Sequence, residues 1–262
     1  MFLEVLSLVL WQMRCLYNSR RNELRLLVSV VKGEEVAPAV EGGADIIDVK
    51  NPGEGALGAN FPHVIKRVRD LTPRKLEVSA TIGDASNLPG TTSLAALGAS
   101  SCGIQYVKVG LLGTPHRRDA TFVLQQVCRA VREYSTQTRI IAATYADAHK
   151  VKALPPSLLP AVATEAGVDG CLLDTALKGD GTLLTNLSDM QLQDFVAQCR
   201  GANLLCALAG SLQEKDIPQV CKFGADIIGV RRAACQGDRV TGLVDGRKVQ
   251  RLKELIAANA SL

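Results

Sequence analysis

The chain of 262 residues is 47% hydrophobic and 21% charged, enough apolar side chain for one large buried core. Its net charge of +4 is mild, its basic residues are scattered and aromatics are only 4%, which excludes a nucleic-acid-binding module. Eight cysteines without a Cys-x-x-Cys pair suit small buried hydrophobes in a reducing, cytoplasmic compartment, and three histidines (His63, His116 and His149) give a metal site little to be built from.

Residues 1–23 differ from the rest. Phe2 to Trp11 is apolar but short for a membrane span, carries Glu4 and lacks a basic start, so neither a span nor a secretory signal is expected there. Arg14, Arg20 and Arg21 keep a mitochondrial presequence as a second reading of a segment otherwise taken as an extension outside the fold. The fold itself is expected over residues 24–262.

From Leu24 onward short apolar runs alternate with helical patterns. The runs lie near Leu24–Val30, Ala44–Lys50, Leu76–Ile82, Tyr106–Leu111, Arg139–Tyr145, Gly170–Ala176, Asn203–Ala209 and Asp226–Arg231. Continuous Ile, Val and Leu in such runs predict parallel strands buried on both faces. Helical patterns between them include Phe61–Asp70, Ala120–Tyr134, Pro156–Ala166, Asp189–Arg200, Leu212–Phe223 and Arg247–Ala258. Eight right-handed crossovers close a single-domain (β/α)8 barrel without edge strands. A doubly wound open sheet is the alternative, but Val30-Val31-Lys32-Gly33 after the first strand is not the glycine-rich dinucleotide turn it would carry.

Four stretches share one pattern of small-residue turn, apolar run and polar or charged tip. They are Gly43-Ala44-Asp45-Ile46-Ile47-Asp48-Val49-Lys50, Gly103-Ile104-Gln105-Tyr106-Val107-Lys108, Gly167-Val168-Asp169-Gly170-Cys171-Leu172-Leu173-Asp174 and Gly224-Ala225-Asp226-Ile227-Ile228-Gly229-Val230-Arg231. Active sites of such barrels sit at the C-terminal strand ends, so the charged tips mark the mouth. Strand alternation puts Ile46, Asp48 and Lys50 on one face and Ile47 and Val49 on the other. If the latter pack on helices, Asp48 and Lys50 point inward, and Asp48 is placed to orient the Lys50 amine. Tyr106 and Lys108 share a face in the same way, Asp174 ends the sixth strand and Lys178 follows in its loop. Two ammonium groups converging on one mouth lower each other's pKa and leave one neutral amine for nucleophilic attack. The plainer reading of each residue is an ordinary ion pair at a strand end.

After the last two strands, Ala209-Gly210-Ser211 and Gly229-Val230-Arg231-Arg232 place small residues, backbone N–H groups and arginine where barrel enzymes bind phosphate, with a helix N-terminus behind. Gly210, Ser211, Gly229 and Arg231 are therefore the candidate phosphate ligands. Asp147, just past the fifth strand, reads equally as a catalytic acid or an N-cap. His63 and His116 read as surface residues, and Pro52 to Asn60 as a glycine-rich loop over the mouth.

These residues resemble the (5-formylfuran-3-yl)methyl phosphate synthases of methanofuran biosynthesis, from about Leu24 to the C-terminus. The likeness is most specific at Gly43 to Pro52, Gly55 to Pro62 and Val78 to Asp84, with Tyr106 to Leu111, Leu173 to Lys178 and Ala207 to Ser211 adding to it. The resemblance implies a (β/α)8 lyase that needs no cofactor. It would condense two molecules of glyceraldehyde 3-phosphate into a phosphorylated furan aldehyde through a lysine Schiff base. By the same likeness Lys50 matches the Schiff-base lysine, Lys108 the proton acceptor, and Asp48, Asp174 and Lys178 the other mouth residues. The chain departs from the family pattern at Arg232 and Thr144, where glycine is usual. Two rival readings stay open: another Schiff-base aldolase or isomerase of phosphorylated aldehydes, and a non-catalytic sugar-phosphate-binding relative. Three lysines at one mouth count against the last, since a binding module needs no nucleophilic amine. The partner expected is a small phosphorylated aldehyde; assembly into a homo-oligomer stays open.

Overall fold

A computed structural model describes residues 24–84, 87–135 and 137–259, so the extension expected over residues 1–23 lies outside the described residues. The apolar runs form eight strands: β1 (Arg25–Val30), β2 (Ile46–Val49), β3 (Glu77–Thr81), β4 (Tyr106–Gly110), β5 (Arg139–Tyr145), β6 (Gly170–Asp174), β7 (Leu205–Leu208) and β8 (Ile227–Val230). Each pairs in parallel with its neighbour, and β8 returns to β1, closing the barrel. Helices at Pro62–Leu71, Arg117–Tyr134, Leu159–Ala166, Asp189–Gly201 and Gly246–Asn259 fall on the predicted patterns. The pattern over Leu212–Phe223 is shorter, a single 3-10 turn at Glu214–Asp216 running into Ile217–Cys221. The pattern leaves unassigned the single turns Ala148–Val151 and Leu183–Asn186 and the helices Val36–Glu41 and Pro89–Ser100. The last is built from Gly, Ala, Ser and Thr, and buries Thr92, Ala96, Ala99 and Ser100 without a strong apolar stripe.

Strand alternation divides the core in two. Val28, Val30, Ile47, Val49, Val78, Val107 and Val109 pack outward against the helices. Leu27, Ile46, Tyr106, Ile141, Leu172, Leu205, Ala207 and Ile227 fill the barrel. Each large aliphatic side chain so buried contributes roughly 1.5–3 kcal/mol relative to exposure.

The fourfold motif has a structural cause. Its glycines, Gly43, Gly103, Gly167 and Gly224, all have φ between 71° and 93°, a left-handed turn closed to most side chains. The polar residue two positions on then stitches neighbouring strands together at their N-terminal ends. Asp45 accepts the Leu26 N–H, Asp169 that of Ile140 and Asp226 that of Cys206, at 2.7–2.8 Å. Gln105 accepts from Val78 at 2.9 Å. Beneath the apolar layer, Arg25, Glu77, Tyr106 and Arg139 close the same end, with the Tyr106 hydroxyl donating to Glu77 at 2.7 Å and accepting from Arg139 at 3.0 Å.

No helix among the described residues is long and apolar enough to cross a membrane. The seven described cysteines are free thiols, all but Cys102 buried.

Candidate active site

Because Ile47 and Val49 face the helices, Asp48 points into the barrel, and Lys50, one residue beyond β2, lines the cavity as well. Lys108 on β4 and Asp174 at the end of β6 enter from the other even strands, the alternate-strand layering of these barrels. With Lys178 they line a cavity of about 380 Å³ that opens at the C-terminal mouth and runs down to Tyr106. The five charged residues read from the sequence thus line one cavity, with pairings the sequence does not give.

Asp48, expected to orient Lys50, is instead held by Lys108, whose Nζ lies 2.6 Å from Oδ1. Ser29 and Ser79, its register neighbours on β1 and β3, donate hydroxyl hydrogens to Oδ2 at 2.8 Å and Oδ1 at 2.5 Å. Lys50 lies 3.7 Å from Asp174 Oδ2 and donates to the Ala56 carbonyl at 3.3 Å. The other Asp174 oxygen takes Lys178 Nζ at 2.6 Å and the Thr175 N–H at 2.7 Å. Two carboxylates are thus interleaved among three amines. Pairing follows barrel layers because alternate strands bring side chains to one level, whereas Asp48 and Lys50 stand at successive levels of one strand.

Burial would raise the carboxyl pKa values, but the amines outweigh it. Asp48 lies below the usual carboxylate range beside Lys108 and Lys50, and Asp174 is held at about 2 by Lys178 and Lys50. Burial, with the Lys50 charge added, lowers Lys108 despite Asp48. Burial likewise lowers Lys178 despite Asp174. A depressed amine exchanges protons more readily near neutral pH, which suits Lys108 to a proton acceptor.

The candidate phosphate ligands are only partly assembled as expected. Gly210 and Ser211 line the mouth in left-handed conformations (φ 115° and 52°), and Ser211 Oγ lies 3.0 Å from Thr175 Oγ1. Gly229 lies within β8, and its missing side chain keeps the mouth open: a Cβ would stand 3.2 Å from the Ala209 Cβ. The helix expected behind Ser211 starts later, at Ile217, and acidic Glu214 and Asp216 already occupy the turn before it.

Arg231 is the clearest correction. Its Nη1 donates to Glu35 at 2.6 Å and the Ser29 carbonyl at 3.0 Å, its Nε to the Arg239 carbonyl at 3.1 Å and its Nη2 to the Gly242 carbonyl at 2.8 Å. Four of five N–H donors are thus engaged, so Arg231 is a buried tie rather than a free phosphate ligand. Arg232 is exposed at the cavity edge. Thr144 points away from the barrel interior and donates to the Leu154 carbonyl, so that departure leaves the mouth untouched.

Asp147 does not act as the expected side-chain cap. Its buried carboxylate accepts the Ala176 and Leu177 N–H groups, each at 2.8 Å. It therefore fixes the loop that carries Lys178. Asp84, which the sequence marks only as the end of the Val78–Asp84 stretch, is raised by burial and accepts from Tyr145 on β5 at 2.6 Å. Gly110 makes room for it, since a Cβ there would stand 2.0 Å from Asp84 Oδ1. Ser29 could have been found as the one hydroxyl of β1, whereas Ser79 shares β3 with Thr81 and stands out less.

With this geometry in view, residues 26–253 match the model of the 4-HFC-P synthase family. This chain belongs to that family. It is 48% identical over 231 residues to a (5-formylfuran-3-yl)methyl phosphate synthase of Methanocaldococcus jannaschii, covering 88% of this chain and 98% of that one. Against the synthase of the same name from Methanopyrus kandleri, identity is 49% over 234 residues, covering 89% and 99%. Among solved structures the fold is similar to 3-hexulose-6-phosphate synthase from Salmonella typhimurium (TM-score 0.63, 15% identity, 90% and 100% covered). It is also similar to phosphoribosyl anthranilate isomerase from Thermotoga maritima (TM-score 0.61, 13% identity, 90% and 99% covered). At those identities the likeness shows the barrel alone.

Proposed function

We propose that this protein is a lyase that condenses two molecules of glyceraldehyde 3-phosphate into (5-formylfuran-3-yl)methyl phosphate, releasing phosphate and water. The single observation that carries the reading is the interleaving of Lys50, Lys108 and Lys178 with Asp48 and Asp174 in one cavity, in a chain of the 4-HFC-P synthase family. Lys50 attacks the aldehyde of one triose phosphate and loses water to give an iminium. That cation is the electron sink for the steps that follow, held between fixed carboxylates. Lys108, its pKa depressed, takes the proton from the neighbouring carbon and returns protons during carbon–carbon bond formation, phosphate elimination and the ring closure that expels water to leave the furan. Asp48 keeps Lys108 in place and balances its charge. Asp174 does the same for Lys50 and Lys178, and water finally releases the product and restores the Lys50 amine.

The apolar lower cavity, lined by Leu27, Ile46, Ile141, Leu172 and Leu205, suits a furan ring better than a polyhydroxy chain. Incubating the purified protein with glyceraldehyde 3-phosphate and identifying products by mass spectrometry tests the reading. A phosphorylated furan aldehyde together with released phosphate supports it. Substrate left unchanged, or a simple aldol product, contradicts it.

A further inference from the structure

The chain between β8 and the last helix makes an excursion over the mouth through the short strands β9 (Cys235–Gln236) and β10 (Leu243–Val244). Its turn is rigid by construction. The Asp238 carboxylate accepts the N–H groups of Val240 and Thr241 at 2.6 and 2.9 Å and the Thr241 hydroxyl, and the Asp238 carbonyl accepts from Gly242 at 3.1 Å. From below, Arg231 grips the Arg239 and Gly242 carbonyls while Glu35 holds Arg231 at 2.6 Å. This framework, anchored in the core, presents one side chain to the cavity that no role yet explains: Arg239.

Arg239 lines the same cavity as Lys50, Lys178, Gly210 and Ser211. Its guanidinium is half-buried, feels the Asp174 charge and is itself felt by Lys178. Its one hydrogen bond among the described residues runs from Nη2 to the Gly55 carbonyl in the β2 loop, at 3.1 Å. Of the other cations of the mouth, Lys108 is taken by Asp48, Lys50 and Lys178 by Asp174 and Arg231 by Glu35, while Arg232 stands exposed at the edge. Leaving aside the closed Arg231–Glu35 pair, five cations (Lys50, Lys108, Lys178, Arg232 and Arg239) face three carboxylates (Asp48, Asp174 and Asp238), so the mouth favours a doubly charged anion. Across it, the N–H groups of Ser211 and Leu212 donate to no acceptor among the described residues.

From this arrangement we infer that Arg239 is the arginine that binds a phosphate group of the substrate, opposite the backbone of the Ser211 loop. Its planar donors can meet two phosphate oxygens at once, and its bond to Gly55 draws the β2 loop over the bound anion. Arg231 and Glu35 act through it as positioning residues, which accounts for a buried ion pair beneath an exposed turn. The inference rests on the reading of the substrate as a phosphorylated aldehyde, yet it can be tested apart from turnover.

Calorimetric titration with inorganic phosphate, on wild type and on Arg239→Ala, reads the site directly. Wild type should bind phosphate, and Arg239→Ala should bind it about 10- to 100-fold more weakly, the usual loss for a charged hydrogen bond. Arg239→Lys should recover part of the affinity, since it restores charge but not the two-point contact. In turnover, Arg239→Ala should raise KM for glyceraldehyde 3-phosphate by a similar factor, and an unchanged KM counts against the inference. Phosphate binding that is absent in wild type, or undiminished in Arg239→Ala, overturns the inference. If phosphate binding is lost in Arg239→Ala but wild type forms no furan product, the binding site stands and the proposed reaction falls.

Discussion

Replacing Lys108 by methionine keeps the length of the side chain and removes its charge. Asp48 is fully buried, and Lys108 is the cation 2.6 Å from it. Lys108→Met therefore leaves a buried carboxylate supported only by the Ser29 and Ser79 hydroxyls and the more distant Lys50. Breaking one partner of such a pair costs about 3–5 kcal/mol. Adding Asp48→Asn removes the orphaned charge, and the double variant should return to within about 1–2 kcal/mol of wild type, because losing both members of a buried pair is often near neutral. Urea unfolding at unchanged slope reads these differences. Turnover should not follow stability: both variants should lose about 100-fold or more, the range for a missing proton-transfer group. A Lys108→Met protein as stable and active as wild type would refute the reasoning. So would a double variant whose activity recovers with its stability, since Lys108 would then serve the fold and not the chemistry.

Asp174, with its pKa held at about 2 against 3.8 for a free carboxyl, contributes about 2 kcal/mol of stability above pH 4 that is lost as pH falls through 2. The stability gap between wild type and Asp174→Asn should accordingly narrow over that interval in urea unfolding; a gap independent of pH would count against the ion-pair account. Since the Lys108 pKa is depressed by burial and Lys50, kcat/KM should climb with pH to an inflection below the ordinary lysine value of 10.5. A profile that rises only at or above that value would contradict the assigned base. Arg231→Ala strands buried Glu35 and should lower stability by about 3–5 kcal/mol, visible as a fall in Tm; a pure KM effect in an equally stable protein would restore it as a direct phosphate ligand.

Much of the barrel can be read from the chain because parallel strands covered on both faces leave mostly apolar runs such as Ile46 to Val49 and Tyr106 to Val109, spaced by helix-length patterns. Alternation within those runs assigns Asp48 and Lys108 to the interior. Which carboxylate meets which amine is not legible, because Asp48 and Lys108 come together only when alternate strands of the closed barrel share a layer. The fate of Arg231 hangs on Glu35, 196 positions away, and on carbonyls of a later turn, none of which a local motif encodes. The helix Pro89–Ser100 escapes because its buried face is made of small residues that give little periodic contrast. The aspartates Asp45, Asp169 and Asp226 look like part of the charged repeat, yet they stitch strands together at the opposite end of the barrel from the mouth.

The central claim is that Lys50 carries the substrate covalently. Borohydride added to the protein with glyceraldehyde 3-phosphate should fix one adduct, and peptide mapping by mass spectrometry should place it on Lys50, in Lys108→Met as in wild type. An adduct mapped to Lys108 or Lys178, or none at all in a protein that turns substrate over, would contradict the account.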